Sequence, residues 1–382
     1  MKAQKQIQAQ NDKQPQLSTA EINFGFWKQV RERAAGQKDA SGKPRPIFVL
    51  APLANVTDAA FRQIITRYSR MGDSDGGPDV IWTEFVSADG LCSPGREALL
   101  RDLAFSKGEH PIVAQLFTSH PEKMREAAAL CAKLGFDGVD INMGCPDRSV
   151  EKQCAGAAMI KDPETARKVI DAAREGAGII PVSVKTRIGY NKNEIDTWIR
   201  FLLGLHLPVL TVHLRTRKEM SEVDAHWDLM PSIIRLRDEA QADIPENERT
   251  IILGNGDARD LADARAKISA NPYVRADGTS VTGDGVMFGR AIFGNPWLFD
   301  QKRNGKEKIA APTIRERLTA CLEHTELFEK LLGDVKNFAI MKKHYKAYIS
   351  GWDGAKDLRI KLMETENAAQ VKAIIETELE VH

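Results

Sequence analysis

A chain of 382 residues is long enough for one large domain plus a small one, and 42% hydrophobic with 28% charged residues is the composition of a soluble globular protein. With 54 Lys and Arg against 53 Asp and Glu, there is no global attraction to nucleic acid, so any such contact needs a local basic surface. The five cysteines (Cys92, Cys131, Cys145, Cys154 and Cys321) are odd in number, scattered and without a CxxC pair, which argues against a disulfide framework and a zinc site and points to a reducing cytoplasm.

The opening "MKAQKQIQAQNDKQPQ" has no apolar core and is no secretory signal, and no stretch reaches the roughly 20 apolar residues of a membrane helix. Its glutamine richness predicts a disordered tail. "EINFGFWKQVRERAAG" carries enough aromatic weight for a short docking helix, and "QKDASGKPRP" reads as a linker. Residues 1–45 are therefore expected to form a disordered or loosely docked extension.

From residue 47, short apolar runs alternate with longer helical patterns. Strands are predicted at 47–54, 79–85, 111–117, 138–144, 182–189, 209–215, 250–256 and 285–291. Helices are predicted between them, including 121–134, which starts on a proline, and 162–176. Strands that are apolar throughout, each followed by a helix, imply a parallel sheet covered on its outer face. Eight such units over about 250 residues predict an α/β fold, a (β/α)₈ TIM barrel, over 46–308. An open doubly wound sheet would show GxGxxG after its first strand, where "APLANVTDAAFR" stands.

Chemically potent residues close nearly every strand: Thr83-Glu84, Gln115, Asn142 with Cys145, Lys185 with Arg187, His213 with Arg215, Asn255-Gly256-Asp257 and Gly289-Arg290. Barrel active sites occupy that face, so these residues should converge on one mouth. Residues 309–382 read as a small C-terminal all-helical domain. Lys336, Lys342, Lys343, Lys346, Lys356, Arg359 and Lys361 stand there against only Asp353 and Asp357, interleaved with His344, Tyr345, Tyr348 and Trp352. Clustered charge with stackable rings is a pattern that RNA-binding surfaces use.

Taken in order, "APLANVTDAAFR", "TEFVSADGL", "AQLF", "DINMGCP", "AGAAMIKDP", "VKTRIG", "HLRTR", "GNGD", "MFGRAIFGNPWLF" and "MKKHYKAYISGWDGAKDLR" resemble the tRNA dihydrouridine synthases, flavoenzymes that reduce uridine in tRNA. The likeness spans roughly residues 45–365. It implies an FMN-binding barrel followed by a helical tRNA-binding domain, with NADPH or NADH as reductant. It also implies hydride delivery to uracil C6 and protonation of C5 by Cys145. Cofactor contacts carry over to Pro52, Leu53, Ala54, Gln115, Lys185, His213, Asn255, Gly256, Asp257, Gly289 and Arg290. Substrate contacts carry over to Asn142, Arg187, Arg215, Lys342, Lys343, His344 and Arg359, and no metal is expected.

The chain departs from the family at Leu53, where methionine is usual, and in "KEMSEVDAHWD", which lacks the common Tyr-Ser-Gly run. "SANPYVRADGTSVTGDG" (269–285) reads as an insertion. An unperturbed thiol near ~8.5 is only about 3% thiolate at pH 7, so Cys145 is expected to start as an acid. Gly144 before it is expected to allow a tight turn. Cys154, in the following loop, is read as incidental. The chain is taken as a monomer that does not touch membranes. Two other readings compete: an FMN barrel acting on a free pyrimidine, as dihydroorotate dehydrogenases do, and a tRNA-binding protein that has lost reductase activity.

Overall fold

Eight parallel strands close on themselves, each crossover returning the chain outside the barrel. The structure, a computed structural model, describes residues 24–38, 42–304 and 311–381. The glutamine-rich tail expected over the first residues lies outside them, as does the boundary expected near 309.

The strands are β1 (Ile47–Leu50), β2 (Val80–Ser87), β3 (Ile112–Phe117), β4 (Gly138–Met143), β5 (Val182–Arg187), β6 (Val209–His213), β7 (Ile251–Asn255) and β8 (Gly285–Phe288). They run around the barrel as β1-β8-β7-β6-β5-β4-β3-β2, so the fold is the TIM barrel that the apolar rhythm implies. The longer helices preceding the C-terminal segment are α1 (Trp27–Gly36), α2 (Ala59–Tyr68), α3 (Pro121–Leu134), α4 (Pro163–Ala177), α5 (Met230–Ala240) and α6 (Leu261–Ser269). α3 starts on its proline, and α4 begins one residue after the predicted start because Asp162 is its cap, accepting from the Thr165 N–H. The predicted insertion folds as a two-stranded hairpin, Tyr273–Val274 against Ser280–Val281. It is tied to the barrel's outside by Arg275, whose Nε donates to Asp238 at 2.7 Å. It precedes β8, on the side of the barrel where strands begin.

Alternate residues of each strand face opposite ways. Ile47, Val49, Val80, Trp82, Val113, Val209, Ile251, Leu253 and Met287 fill the interior, and Phe24, Trp27, Val30 and Ala34 of α1 and its approach close the end where strands begin. Trp27 is 1% exposed, with its ring 5.7 Å from that of Trp82. α1 is thus a plug of the barrel floor. Arg45 and Arg33 fasten it polarly, since both pair with the buried Asp79, at 2.7 and 2.8 Å. Trp27→Ala should destabilise the fold by about 3–5 kcal/mol, the range for emptying a large aromatic site in a core. The urea midpoint reads it, and a midpoint unchanged from the parent would show the plug to be dispensable.

The C-terminal segment holds α7 (Ile314–Leu332), α8 (Met341–Tyr348), α9 (Ala355–Met363) and α10 (Ala368–Leu379). Leu318, Phe328, Met341 and Tyr345 share one continuous apolar core with Phe61, Ile64 and Phe288 of the barrel. These helices are therefore seated on the barrel wall rather than tethered to it.

Candidate active site

Strand β4 ends at Met143, and the turn after it is made by a side chain. Asn142 Oδ1 accepts the N–H groups of Gly144 at 3.1 Å and Cys145 at 2.9 Å. Gly144 lies outside the left-handed region, so the expected reason for it is corrected. A Cβ there would stand 3.2 Å from the Thr186 carbonyl carbon, so glycine is needed for close approach to β5 rather than for a strained turn. The Gly144 carbonyl takes the Arg187 Nε at 2.8 Å, and the Cys145 carbonyl takes the Ala157 N–H at 2.9 Å. The backbone bearing Cys145 is clamped from both sides, with the thiol half-buried in the cavity wall.

Burial pushes the Cys145 thiol above its ordinary range. The Asp147 N–H and the charges of Arg187 and Lys185 pull the other way without reversing it. The thiol is therefore a weaker acid than the unperturbed one expected from sequence, and more fully protonated at pH 7. Iodoacetamide should label it slowly at neutral pH and progressively faster as the solution is made alkaline, while Cys154 is exposed to the reagent. Peptide-resolved labelling rates measure this, and rapid Cys145 labelling at neutral pH would contradict it.

Beneath the turn runs a chain of buried hydrogen bonds. Asn142 Nδ2 donates to Gln115 Oε1 at 3.0 Å, and Gln115 Nε2 donates to Asp140 at 2.7 Å. Ser183 Oγ donates to the other Asp140 oxygen at 2.5 Å. Burial raises Asp140 to about 6, although the Gln115 and Ser183 hydrogen bonds oppose it. Asp140 carried no role in the sequence reading, although a carboxylate in the middle of an apolar strand was a visible signal. Through this chain it fixes which way the Gln115 amide faces.

On the opposite wall, Lys185 Nζ donates to Asn255 Oδ1 at 3.1 Å, and Asn255 Nδ2 donates to the Met287 carbonyl at 2.8 Å. Burial, reinforced by Arg187, lowers Lys185 to about 8. It remains mainly a cation at pH 7. His213 is pushed well below its ordinary value by burial and by Arg187, Lys185, Arg215 and Arg290, so it is neutral. Arg215 Nη1 lies 3.2 Å from His213 Nε2 and can only donate, which assigns the ring proton to Nδ1.

Arg215 is 3% exposed and further bound to the Val223 carbonyl at 2.6 Å and to Asp257. Arg290 meets the same aspartate at 3.0 Å but is exposed at the rim. Burial pushes the Asp257 carboxyl up, yet the Arg215 hydrogen bond and the Ala225 N–H hold it below the usual range. Gly256 adopts φ 129°, and a Cβ there would lie 2.6 Å from that of Ala225. That close approach brings Asp257 to the rim.

The cavity at the ends of the strands holds about 380 Å³. It brings together Pro52, Leu53, Ala54, Gln115, Asn142, Cys145, Lys185 and Arg187 from the first five strands, and His213, Arg215, Asn255, Gly256, Asp257, Gly289 and Arg290 from the last three. Phe85, Met220, Ser221 and Ala258 also line it and were missed. Met220 and Ser221 sit in the segment lacking the Tyr-Ser-Gly run, where the sequence offered no motif to read. Arg187 is partly scaffolding, with Nη1 donating to the carbonyls of Thr216 at 2.9 Å and Met220 at 3.1 Å.

The helical segment departs most from expectation. His344 is fully buried, its ring 4.8 Å from Phe61 and 4.5 Å from His324, so its assignment to substrate is corrected. Tyr345 and Tyr348 are buried as well and cannot stack on a base, and Trp352 lies under the guanidinium of Arg317. The rings of His344, Tyr345 and Tyr348 belong to the core because helix periodicity turns them inward. Lys343 is exposed, Lys342 is half-buried, and Arg359 is half-buried with Nη1 donating to the Ile349 carbonyl at 2.7 Å. None of Lys342, Lys343, His344 and Arg359 lines the cavity. Among the described residues, no group of three or more His, Cys, Asp or Glu side chains is placed to hold a metal ion.

The sequence profile of the family Dihydrouridine synthase (Dus) matches residues 49–381. A probable tRNA-dihydrouridine synthase of Staphylococcus aureus (strain Mu50) is 38% identical over 336 residues, covering 87% of this chain and 93% of the relative. One from Staphylococcus epidermidis is 38% identical over 338 residues, covering 87% and 94%. The probable tRNA-dihydrouridine synthase 2 of Bacillus subtilis (strain 168) is 37% identical over 336 residues, covering 87% and 94%.

Proposed function

The chain belongs to the dihydrouridine synthase family, and we propose that it reduces uridine in tRNA to 5,6-dihydrouridine, with FMN at the barrel mouth, NADPH or NADH as reductant and Cys145 as proton donor. The observation that carries this reading is the placement of the protonated Cys145 thiol in one cavity with the Lys185 cation and the Gln115 amide.

The donor set fits a flavin mononucleotide. A cavity of about 380 Å³ falls in the range of small-ligand sites, roughly 300–1,000 Å³. It offers cations for an anionic ligand, an amide for a ring edge, and a rim where Gly289 leaves open space, with the Leu53 side chain at 4.0 Å the nearest contact of a Cβ. Lys185, Gln115 and the backbone of Pro52, Leu53 and Ala54 would hold the ring, Asn255 would keep Lys185 in place, and Gly256, Gly289 and Arg290 would hold the phosphate. Asp257 would aim Arg290, and neutral His213 would supply a hydrogen bond without a charge.

When bound, the flavin supplies the hydride that adds to uracil C6. Cys145 gives its proton to C5, leaving a thiolate beside Arg187 and Lys185 that takes a proton back from water. Asn142 keeps the Cys145 backbone in register and, with Arg187 and Arg215, faces the base. The uridine must leave its stack to reach this depth, at a cost of a few kcal/mol. Phosphate contacts from Lys342, Lys343, Arg359 and the exposed Lys346, Lys356 and Lys361 would offset that cost and weaken with salt. The barrel over 46–308 would then be the catalytic domain and 309–382 the tRNA-binding one. On this reading the chain works in the cytoplasm, as a monomer.

The test uses purified chain reconstituted with FMN. Added tRNA lacking dihydrouridine should speed NADPH oxidation, and free uridine or dihydroorotate should not. Turnover of a free pyrimidine without RNA would favour the alternative substrate. A chain that binds tRNA but no flavin would favour a reductase that has been lost.

A further inference from the structure

Lys336 belongs to the basic stripe by sequence, yet its ammonium is turned inward and only 12% exposed. It bridges two carboxylates of the barrel, Glu84 at 2.6 Å and Asp102 at 2.8 Å. Glu84 sits at an irregularity of β2, where the register shifts between Trp82 and Phe85. Its second oxygen accepts the N–H of Asn55 at 2.5 Å. Asn55 has φ 53°, a left-handed conformation sparsely populated by residues other than glycine. It closes the loop whose Ala51, Pro52, Leu53 and Ala54 line the cavity. Partly buried contacts thus run from the helical segment, through one carboxylate, to the backbone beneath the cavity.

We propose that Lys336 is a positioning residue for the flavin loop: by neutralising and orienting Glu84 it holds Asn55 in its left-handed conformation, so the helical segment completes the cofactor site as well as docking RNA. The inference rests on the reading of the cavity as a flavin site. Without the ammonium, Glu84 and Asp102 face each other with no cation between them, and Asp58, the buried cap of α2, lies within electrostatic reach of both Glu84 and Lys336. Glu84 would then turn toward water, and Asn55 would lose its acceptor. The exposed lysines of the stripe have no such route to the cavity.

FMN binding to the apoprotein, followed by quenching of flavin fluorescence, tests this. Lys336→Met should raise the FMN dissociation constant tenfold or more while changing the KM for tRNA less than about threefold, and Lys346→Met should do the reverse. Lys336→Arg, which keeps the cation, should stay within threefold of the parent for FMN. Glu84→Gln leaves Lys336 paired with Asp102 and should weaken FMN severalfold. The Lys336→Met, Glu84→Gln double variant should lose no more than Lys336→Met alone, because both act through one contact. An unchanged FMN constant in Lys336→Met, or losses that multiply in the double variant, would overturn the proposal. If Lys336→Met does not fold by circular dichroism, an unchanged constant in Glu84→Gln overturns it alone. Failure of the parent itself to bind FMN would refute the flavin reading instead.

Discussion

Cys145→Ala should lower the rate of tRNA reduction by about 10²–10⁴, the usual worth of a positioned general acid, equivalent to about 3–5 kcal/mol of barrier. The hydrogen bonds that clamp the turn run through the Cys145 backbone, so the turn, the cavity and flavin binding should survive the substitution. Cys145→Ser should be almost as slow, because a hydroxyl keeps the shape but is a far weaker acid. Single-turnover reduction of tRNA by the pre-reduced enzyme isolates this step, and flavin absorbance checks that the cofactor is still held. A loss smaller than tenfold would mean that another group supplies the proton. The pH dependence carries the same sign. Burial raises the thiol's pKa, so the acid form persists through neutrality. The rate should therefore not be limited by loss of the thiol proton at neutral pH, and should fall at alkaline pH, where Lys185 loses its charge and the thiol ionises.

The second large effect is on stability. Arg62 and Glu109 form an ion pair at 2.7 Å with both side chains wholly buried. Arg62 also donates to the carbonyls of Thr57 at 2.8 Å and Ala104 at 2.5 Å. Glu109→Ala leaves a guanidinium in the interior without its counter-ion and should destabilise the fold by about 3–5 kcal/mol. Replacing both residues by leucine should be far milder, because the cost comes from the stranded charge rather than from the lost attraction. Urea unfolding of the two variants decides it, and equal losses would refute the argument. Thr57 follows the cavity loop, and its hydroxyl accepts the Leu53 N–H at 2.9 Å, so the single variant should also weaken flavin binding.

How much of this was legible in the sequence depended on how local the cause was. Parallel barrel strands are covered on both faces, so they stand out as uninterrupted apolar runs, and all eight strands were read in place. The convergence of strand ends on one mouth followed from topology once the barrel was recognised. What escaped was set by partners distant in the chain. The aromatic weight around Trp27 suggested a helix that docks, but its burial against Trp82 depends on the barrel having an open floor. Lys336 and His344 read as members of a basic, aromatic stripe because charge counts cannot register that Glu84, 252 positions away, captures one of them, or that Phe61 packs on the other. Gly144 looked like a turn residue because nothing in the sequence shows that Thr186 passes 3.2 Å from where its Cβ would be. Asp140 gave a signal that local reading undervalued, since its meaning lies in Gln115 and Ser183 on the neighbouring strands.

The most direct measurement is nucleoside mass analysis of tRNA lacking dihydrouridine after incubation with the FMN-loaded protein and NADPH. The expected product is uridine heavier by two hydrogens at a defined position, formed by the parent and nearly absent with Cys145→Ala. Undiminished product with the alanine variant, or no product from a parent that holds its flavin, would contradict the assignment of Cys145 and of this cavity.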